Sequence, residues 1–362
     1  MMRTLSWISR ACVSPLVPAK AGTQRRRTRT LAQAALDSRF RGNERINFRT
    51  TFALALALVA LAVAPVRADT IRIVIPFAPG GALDPQARIL ANGLAKLRPN
   101  DAFVVENIGG AGGMLGLGAV AKAAPDGRTL LFSPSGPMVI SPLLQSSVPF
   151  DYTKAFEPIV LVGSVKSALI VRAGLDVKSL AELVAAAKAG AKITYGSTGV
   201  GTSPHISGAM LAHAAGIQMT HVPYRGLGPA MNDIVGGHID AIATSVIGVL
   251  PYVQSNKARA LATLDTERSE QLPDVPTTVE LGYTDLVMPQ WYGLLAPAGL
   301  PADVRTVLES QALSVLRSPE VVKQLAVTGI AGSKGSAEFQ ALLAVDYKKW
   351  PAVLPKLGIT PK

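Results

Sequence analysis

From residue 71 onward, short apolar runs alternate with longer stretches in which apolar residues recur at helical spacing. The runs at 71–77, 102–107, 129–133, 159–165, 168–173, 192–196, 219–224, 241–245 and 260–264 predict strands. Helical spacing falls between them, at 85–97, 115–124, 180–190, 204–216, 228–237 and 249–256, and again through most of the tail after Pro301. Strands separated by helices of about ten residues predict βαβ units with parallel sheets, an α/β fold. Their order predicts two α/β lobes, 69–168 plus 292–362 and 169–291. Extended crossings near 160–172 and 286–296 form a two-strand hinge beside a cleft. Ligands of open α/β sheets lie beyond the carboxyl ends of the strands, at the strand-to-helix loops.

Two such loops carry the candidate chemistry. In IRIVIPFAPGGALDPQARIL (71–90) a strand meets Gly80 and Gly81, then Asp84 and Pro85 at a helix start. Glycines let backbone N–H groups approach a bound group, and a helix start favours an anion. The alternative is a tight turn that Asp84 merely caps. In YGSTGVGTSPHISGAML (195–211) the design repeats. Ser197, Thr198, Thr202 and Ser203 offer hydroxyls there, and Gly196, Gly199 and Gly201 offer close approach. GSTGVGTS resembles a P-loop with Thr202 in place of the phosphate-binding lysine, which disfavours a nucleotide and leaves an uncharged nest suited to a carboxylate. One such helix start per lobe makes a clamp for a small anion.

Other features bear less on the site. GLGAVA (116–121) fits the dinucleotide pattern formally but lies inside a helical stretch without the later ribose acid, so its glycines predict close packing. Ser133 and Ser135 follow a strand and either face the cleft or form an ordinary turn. His205 either donates to the ligand or serves the first turn of its helix. Arg225 is a counter-charge or a surface ion-pair partner, and Trp291 and Tyr292 are read as hinge packing. Catalytic constellations are missing: the four histidines show no zinc spacing, and Tyr195 stands two positions before Ser197 where a nucleophile elbow needs glycine.

Charge changes the picture only at the N-terminus. The formal net charge is +12, but residues 1–68 hold 12 Lys/Arg and 2 Asp/Glu while the other 294 residues hold 24 and 22. The body is nearly neutral, which argues against nucleic acid. Thr51–Val63 reads TFALALALVALAV, too short to span a bilayer, and Val66 and Ala68 fit the cleavage rule. Residues 47–68 are therefore read as a signal peptide cut before Asp69. Residues 1–46 are read as a wrongly assigned start or a disordered leader. The single cysteine, Cys12, lies in that leader, so the exported chain has no disulfide or thiolate metal site.

The segments PFAPGGALDPQAR, VVENIGGAGGMLG, AAPDGRTLLF, YGSTGVGTSPH, HVPYRGLGPAMNDIVGGHID and WYGLLAPAGLP, in that order, resemble the substrate-binding proteins of tripartite tricarboxylate transporters, the Bug family. The resemblance implies a type II periplasmic-binding-protein fold and a ligand held by its carboxylate. It implies principal contacts from the loop Phe77–Asp84 (with Gly80, Gly81, Ala82 and Leu83) and from Gly199 to His205, including Thr202 and Ser203. Ser133, Ser135, Thr244 and Ser245 would line the remainder. Leu83 stands where the family often has Thr or Ser, and Thr244 where an acid is common, which favours a ligand with an apolar or aromatic body. The expected partners are a di-, tri- or aromatic carboxylate and membrane transporter subunits. A monomeric periplasmic chain without cofactor, metal or nucleic acid is expected. Against this stand an exported α/β hydrolase, a sensor component without its own transporter, and a nucleotide-binding module.

Overall fold

The computed structural model describes residues 69–330 and 332–360; the segments read as leader and signal peptide, with Cys12, lie outside them. Ten strands form two five-stranded sheets. Sheet I holds β1 (Thr70–Ile75), β2 (Ala102–Asn107), β3 (Thr129–Pro134), β4 (Phe156–Val165) and β10 (Gln290–Pro297) in the order β2-β1-β3-β10-β4. Sheet II holds β5 (Ser167–Arg172), β6 (Ile193–Ser197), β7 (Met219–Pro223), β8 (Ala241–Ser245) and β9 (Ala258–Thr263) in the order β7-β6-β8-β5-β9.

The two sheets have one plan. In each, the first strand of a βαβ pair lies between two parallel neighbours: β1 between β2 and β3, and β6 between β7 and β8. An antiparallel strand follows, β10 against β3 and β5 against β8. Strand order therefore reverses beside β1 and beside β6, and a crevice opens at their carboxyl ends. The chain passes from β4 to β5 through the single residue Lys166 and returns to sheet I at β10. The stretch expected as an extended crossing, 286–296, thus contains a strand that completes sheet I.

The helices follow the apolar periodicity. They are α1 (Leu83–Leu97), α2 (Met114–Ala121), α3 (Ser135–Val139), α4 (Leu180–Lys188), α5 (Ser203–Ala215), α6 (Leu227–Gly236), α7 (Val246–Gln254), α8 (Ala302–Leu316), α9 (Pro319–Val327) and α10 (Ser336–Val353). α1 buries Leu83, Ala87, Leu90, Ala91 and Leu94, the i, i+4, i+7, i+8, i+11 stripe of a core-facing helix. It packs with Ile71, Ile73 and Ile75 of β1 and with Ala312 and Val315 of α8 in one apolar cluster. The contact is close enough that a Cβ on Gly93 would overlap Val315. In sheet II, Ala230, Met231 and Ile234 of α6 pack against Ile170 and Ile242. Tail helices α8 and α10 rest on β4 of sheet I.

Candidate functional site

Loop Phe77–Asp84 leaves β1 and is held by its own acid. The Gly80 N–H donates to Asp84 Oδ2 at 2.8 Å, and Asn107 Nδ2, from the end of β2, donates to Asp84 Oδ1 at 2.9 Å and to the Phe77 carbonyl at 3.1 Å. Asp84 was expected at the N-cap, but α1 begins at Leu83 with Ala82 as N-cap, and the carboxylate reaches back to the loop. Ala82 has no capping group, so the opening N–H groups of α1 have no acceptor within the helix. Of the two glycines only Gly80 takes a positive φ, 85°.

Loop Ser197–Ser203 leaves β6 and is wired through hydroxyls and imidazoles. Ser197 Oγ accepts from Gly199 N–H at 3.1 Å and lies 2.6 Å from His221 Nε2. Thr202 Oγ1 donates to the Gly199 carbonyl at 2.7 Å. His205 Nδ1 accepts from Gly201 N–H at 3.2 Å, which places its other nitrogen as the protonated one, and its ring stacks on His221 with centroids 4.1 Å apart. His205 thus shapes the loop. Ser203 opens α5, is 2 % exposed, and its Oγ has no hydrogen-bond partner among the described residues.

The two loops face one pocket. Of the expected residues, Phe77, Gly81, Ala82, Leu83 and Asp84 line it from the β1 side. Thr202, Ser203, Thr244 and Ser245 line it from the sheet II side. Gly80, Gly199 and His205 are not among its lining residues. Ser133 is buried and donates to the Pro134 carbonyl at 3.0 Å. Ser135 lines a separate pocket with Trp291 and Asp346.

The sequence reading missed Ile75, Pro134, Pro137, Thr198 as a wall residue, Leu227, Gln290 and Tyr292, all of which line the site. Two of these had a signal in the sequence. Neighbours in a strand face opposite ways: Trp291 turns outward, donating to Asp346 Oδ2 at 2.8 Å and packing edge-on to Phe339, so Tyr292 must turn inward. Burial raises the Tyr292 phenol to about 12, and Ser245 of sheet II shares the pocket wall with it. Gln290 Nε2 donates to Ser167 Oγ at 2.8 Å.

Electrostatically the site is built without a cation. Among the described residues no Lys, Arg or His lines it, and the one charged wall residue, Asp84, is occupied by Gly80 and Asn107. What partial positive charge it has comes from helix starts. Leu83, Ser203 and Leu227 open α1, α5 and α6, and Ser245 directly precedes α7; each start contributes about 0.3–1 kcal/mol toward a nearby anion.

The sheet I and sheet II sides touch backbone to backbone around this pocket. Ala78 N–H donates to the Arg225 carbonyl at 3.2 Å, so Arg225 contributes its main chain while its side chain lies outside the pocket. Ser141 Oγ donates to the Gly112 carbonyl at 2.9 Å and reaches the Val200 carbonyl at 3.4 Å. A Cβ on Gly112 (φ 64°) would overlap the Val200 carbonyl, and one on Gly201 (φ 81°) would meet Ser141 Cα at 2.5 Å. Glycine is required at both places.

This arrangement has known counterparts. Residues 86–359 match the sequence profile of the tripartite tricarboxylate transporter family receptor, TctC. The chain belongs to this family. Its fold superposes on the periplasmic binding protein BugD with a TM-score of 0.77 at 30 % identity, covering 81 % of this chain and 99 % of that one. An R. palustris protein with adipate gives 0.78 at 26 % identity over 81 % and 99 %. MatC from Rhodopseudomonas palustris with bound malate gives 0.74 at 27 % identity over 79 % and 98 %. This TctC-family chain is a solute-binding protein of the Bug type and not an enzyme, which sets aside the hydrolase and nucleotide readings. Members of the family are periplasmic receptors of transporters, and no helix among its described residues is long and apolar enough to cross a membrane.

Proposed function

We propose that this receptor captures a small organic acid by a carboxylate seated between the starts of α1 and α5, with Ser203 donating to it. Two lobes, 69–168 plus 292–362 and 169–291, close over the ligand, and the monomer presents it to membrane transporter subunits. In this reading the signal peptide directs the chain to the periplasm and is cut before Asp69.

The observation that carries the reading is the buried Ser203 hydroxyl, unpartnered in the protein and placed in the pocket at a helix start. A buried hydroxyl without a partner costs about 1–3 kcal/mol, which a bound oxygen relieves. Charge-assisted hydrogen bonds contribute about 1.5–3 kcal/mol each, so four or five support a micromolar Kd, near −8 kcal/mol. Adipate and malate, named with two neighbours, are acids of this size.

The test is a thermal-shift screen of the purified protein against mono-, di-, tri- and aromatic carboxylates. A ligand at a hundred times its Kd is expected to add about 2.7 kcal/mol of stability. Absence of a shift with every acid would refute the proposal.

A further inference from the structure

We infer that the separate pocket between β10 and α10 binds a small organic cation, an alkylammonium, with Asp346 as its counter-charge and Trp291 and Trp350 as its walls. This second site is distinct from the carboxylate pocket, and the inference does not rest on the carboxylate reading.

The chain builds this pocket from a strand and a helix. Tyr292 turns toward the carboxylate site, while Trp291 turns the other way and lines the second pocket. Leu342, Asp346, Lys349 and Trp350 close it from one face of α10, at the i, i+4, i+7, i+8 spacing of a helical stripe. Its floor is buried, with Trp291 and Trp350 at 4 % and 5 % exposure. Ser135, also buried, lines it too, and its Oγ has no hydrogen-bond partner among the described residues. An orphaned buried hydroxyl is a cost that a bound polar group removes.

Charge selects the ligand. Asp346 Oδ2 accepts from Trp291 Nε1 at 2.8 Å, and among the described residues the carboxylate forms no ion pair. Burial holds its pKa above the usual carboxylate range, against the opposing pull of that hydrogen bond and of Lys349. The acid is therefore short of positive charge. Lys349 does not supply it by contact: its ammonium sits 5.0 Å from the centre of the Trp350 ring. That exposed lysine shows the Trp350 face holding a cation, the arrangement a quadrupole favours. A free alkylammonium in the pocket meets indole surface and the carboxylate together, with the Ser135 hydroxyl at hand for its polar group. No second acid lines the pocket, so a hard divalent metal ion finds one carboxylate where it needs several oxygens.

Tryptophan fluorescence provides the test. Beyond residue 68 the sequence has two tryptophans, Trp291 and Trp350, so emission from the exported chain reports this pocket directly. Choline, n-propylammonium and 3,3-dimethylbutan-1-ol, the uncharged counterpart of choline, are titrated at constant ionic strength. At least one cation is expected to give a saturable change, and the alcohol to bind about tenfold more weakly or worse. Asp346→Asn keeps an acceptor for Trp291 Nε1 but removes the charge, and should weaken cation binding about tenfold or more with the unliganded melting temperature retained. Lys349→Ala removes the competing ammonium and should tighten binding several-fold. The inference is overturned by the absence of a saturable change with both cations, or by an alcohol that binds as well as choline. Undiminished binding in Asp346→Asn overturns it too, placing the cation elsewhere, for instance at Asp84. So does weaker binding in Lys349→Ala, which would make the lysine part of an anion site.

Discussion

Loop Phe77–Asp84 and loop Ser197–Ser203 leave β1 and β6, the second strands of their sheets, at equivalent places, yet different chemistry holds them. The first is closed by one carboxylate that bonds Gly80 and Asn107. The second is closed by hydroxyls and by the imidazoles of His205 and His221. The first presents Leu83 to the pocket, while the second presents Ser203 with its hydroxyl uncommitted. Under the proposed function, equivalent topology is given unequal work, with Ser203 of the second loop as the anchor.

The contrast fails if closure, which brings the loops together, is removed. Gly201→Val places a side chain on the Ser141 backbone and forces a β-branched residue to a φ of 81°. Strain of 1–3 kcal/mol plus the overlap is expected to lower ligand affinity about a hundredfold or more, read by calorimetry. Wild-type affinity in that variant would show that binding does not need the two sides in contact.

A pair of single substitutions sharpens the contrast. Ser203→Ala removes a carboxylate donor and, in the unliganded protein, an unsatisfied hydroxyl. Affinity should fall about 10–100-fold with melting temperature unchanged or slightly raised. Asp84→Ala strands Gly80 N–H and Asn107, so stability should fall by about 1–2 kcal/mol, a few degrees in a chain of this size, with only a several-fold loss of affinity. If Asp84→Ala proves the more damaging to binding, the acid is part of the anchor.

The smallest expected effect is on alkaline stability. Burial raises the Tyr292 phenol to about 12, above its unfolded value near 10. The stability this confers is complete below about pH 10 and is lost as pH rises toward 12, because the unfolded chain ionises first. Wild type is therefore expected to lose denaturant resistance relative to Tyr292→Phe across that interval, as seen in urea midpoints at pH 9 and 11. Parallel curves would mean that Tyr292 reaches solvent.

The alternation of apolar runs and helical stretches made the α/β class legible, because burial on both faces leaves runs such as Leu130–Phe132 and helical stripes such as Leu83–Leu94 in the sequence. The glycine turns were equally plain. What the sequence hid was pairing at a distance. Nothing local says that β10 inserts between β3 and β4, and Gln290, Tyr292 and Pro137 become wall residues only through that pairing and through the approach of sheet II. His205 shows the opposite limit. Its position at a helix start suits a ligand donor, and nothing in the sequence announces that its Nδ1 also accepts from Gly201 N–H.

The passage through Lys166 has a further consequence, for the order in which the protein assembles. Sheet II is one continuous piece of chain, from Ser167 to Thr263, whereas sheet I needs strands from both ends, Thr70–Val165 and Gln290–Pro297. Long loops must close before β10 can insert, and closing them is slow. Sheet II can be complete while sheet I still lacks its fifth strand. Pulsed hydrogen exchange during refolding is expected to protect β6 and β8 before β10, and simultaneous protection would show that the two sheets form as one cooperative unit.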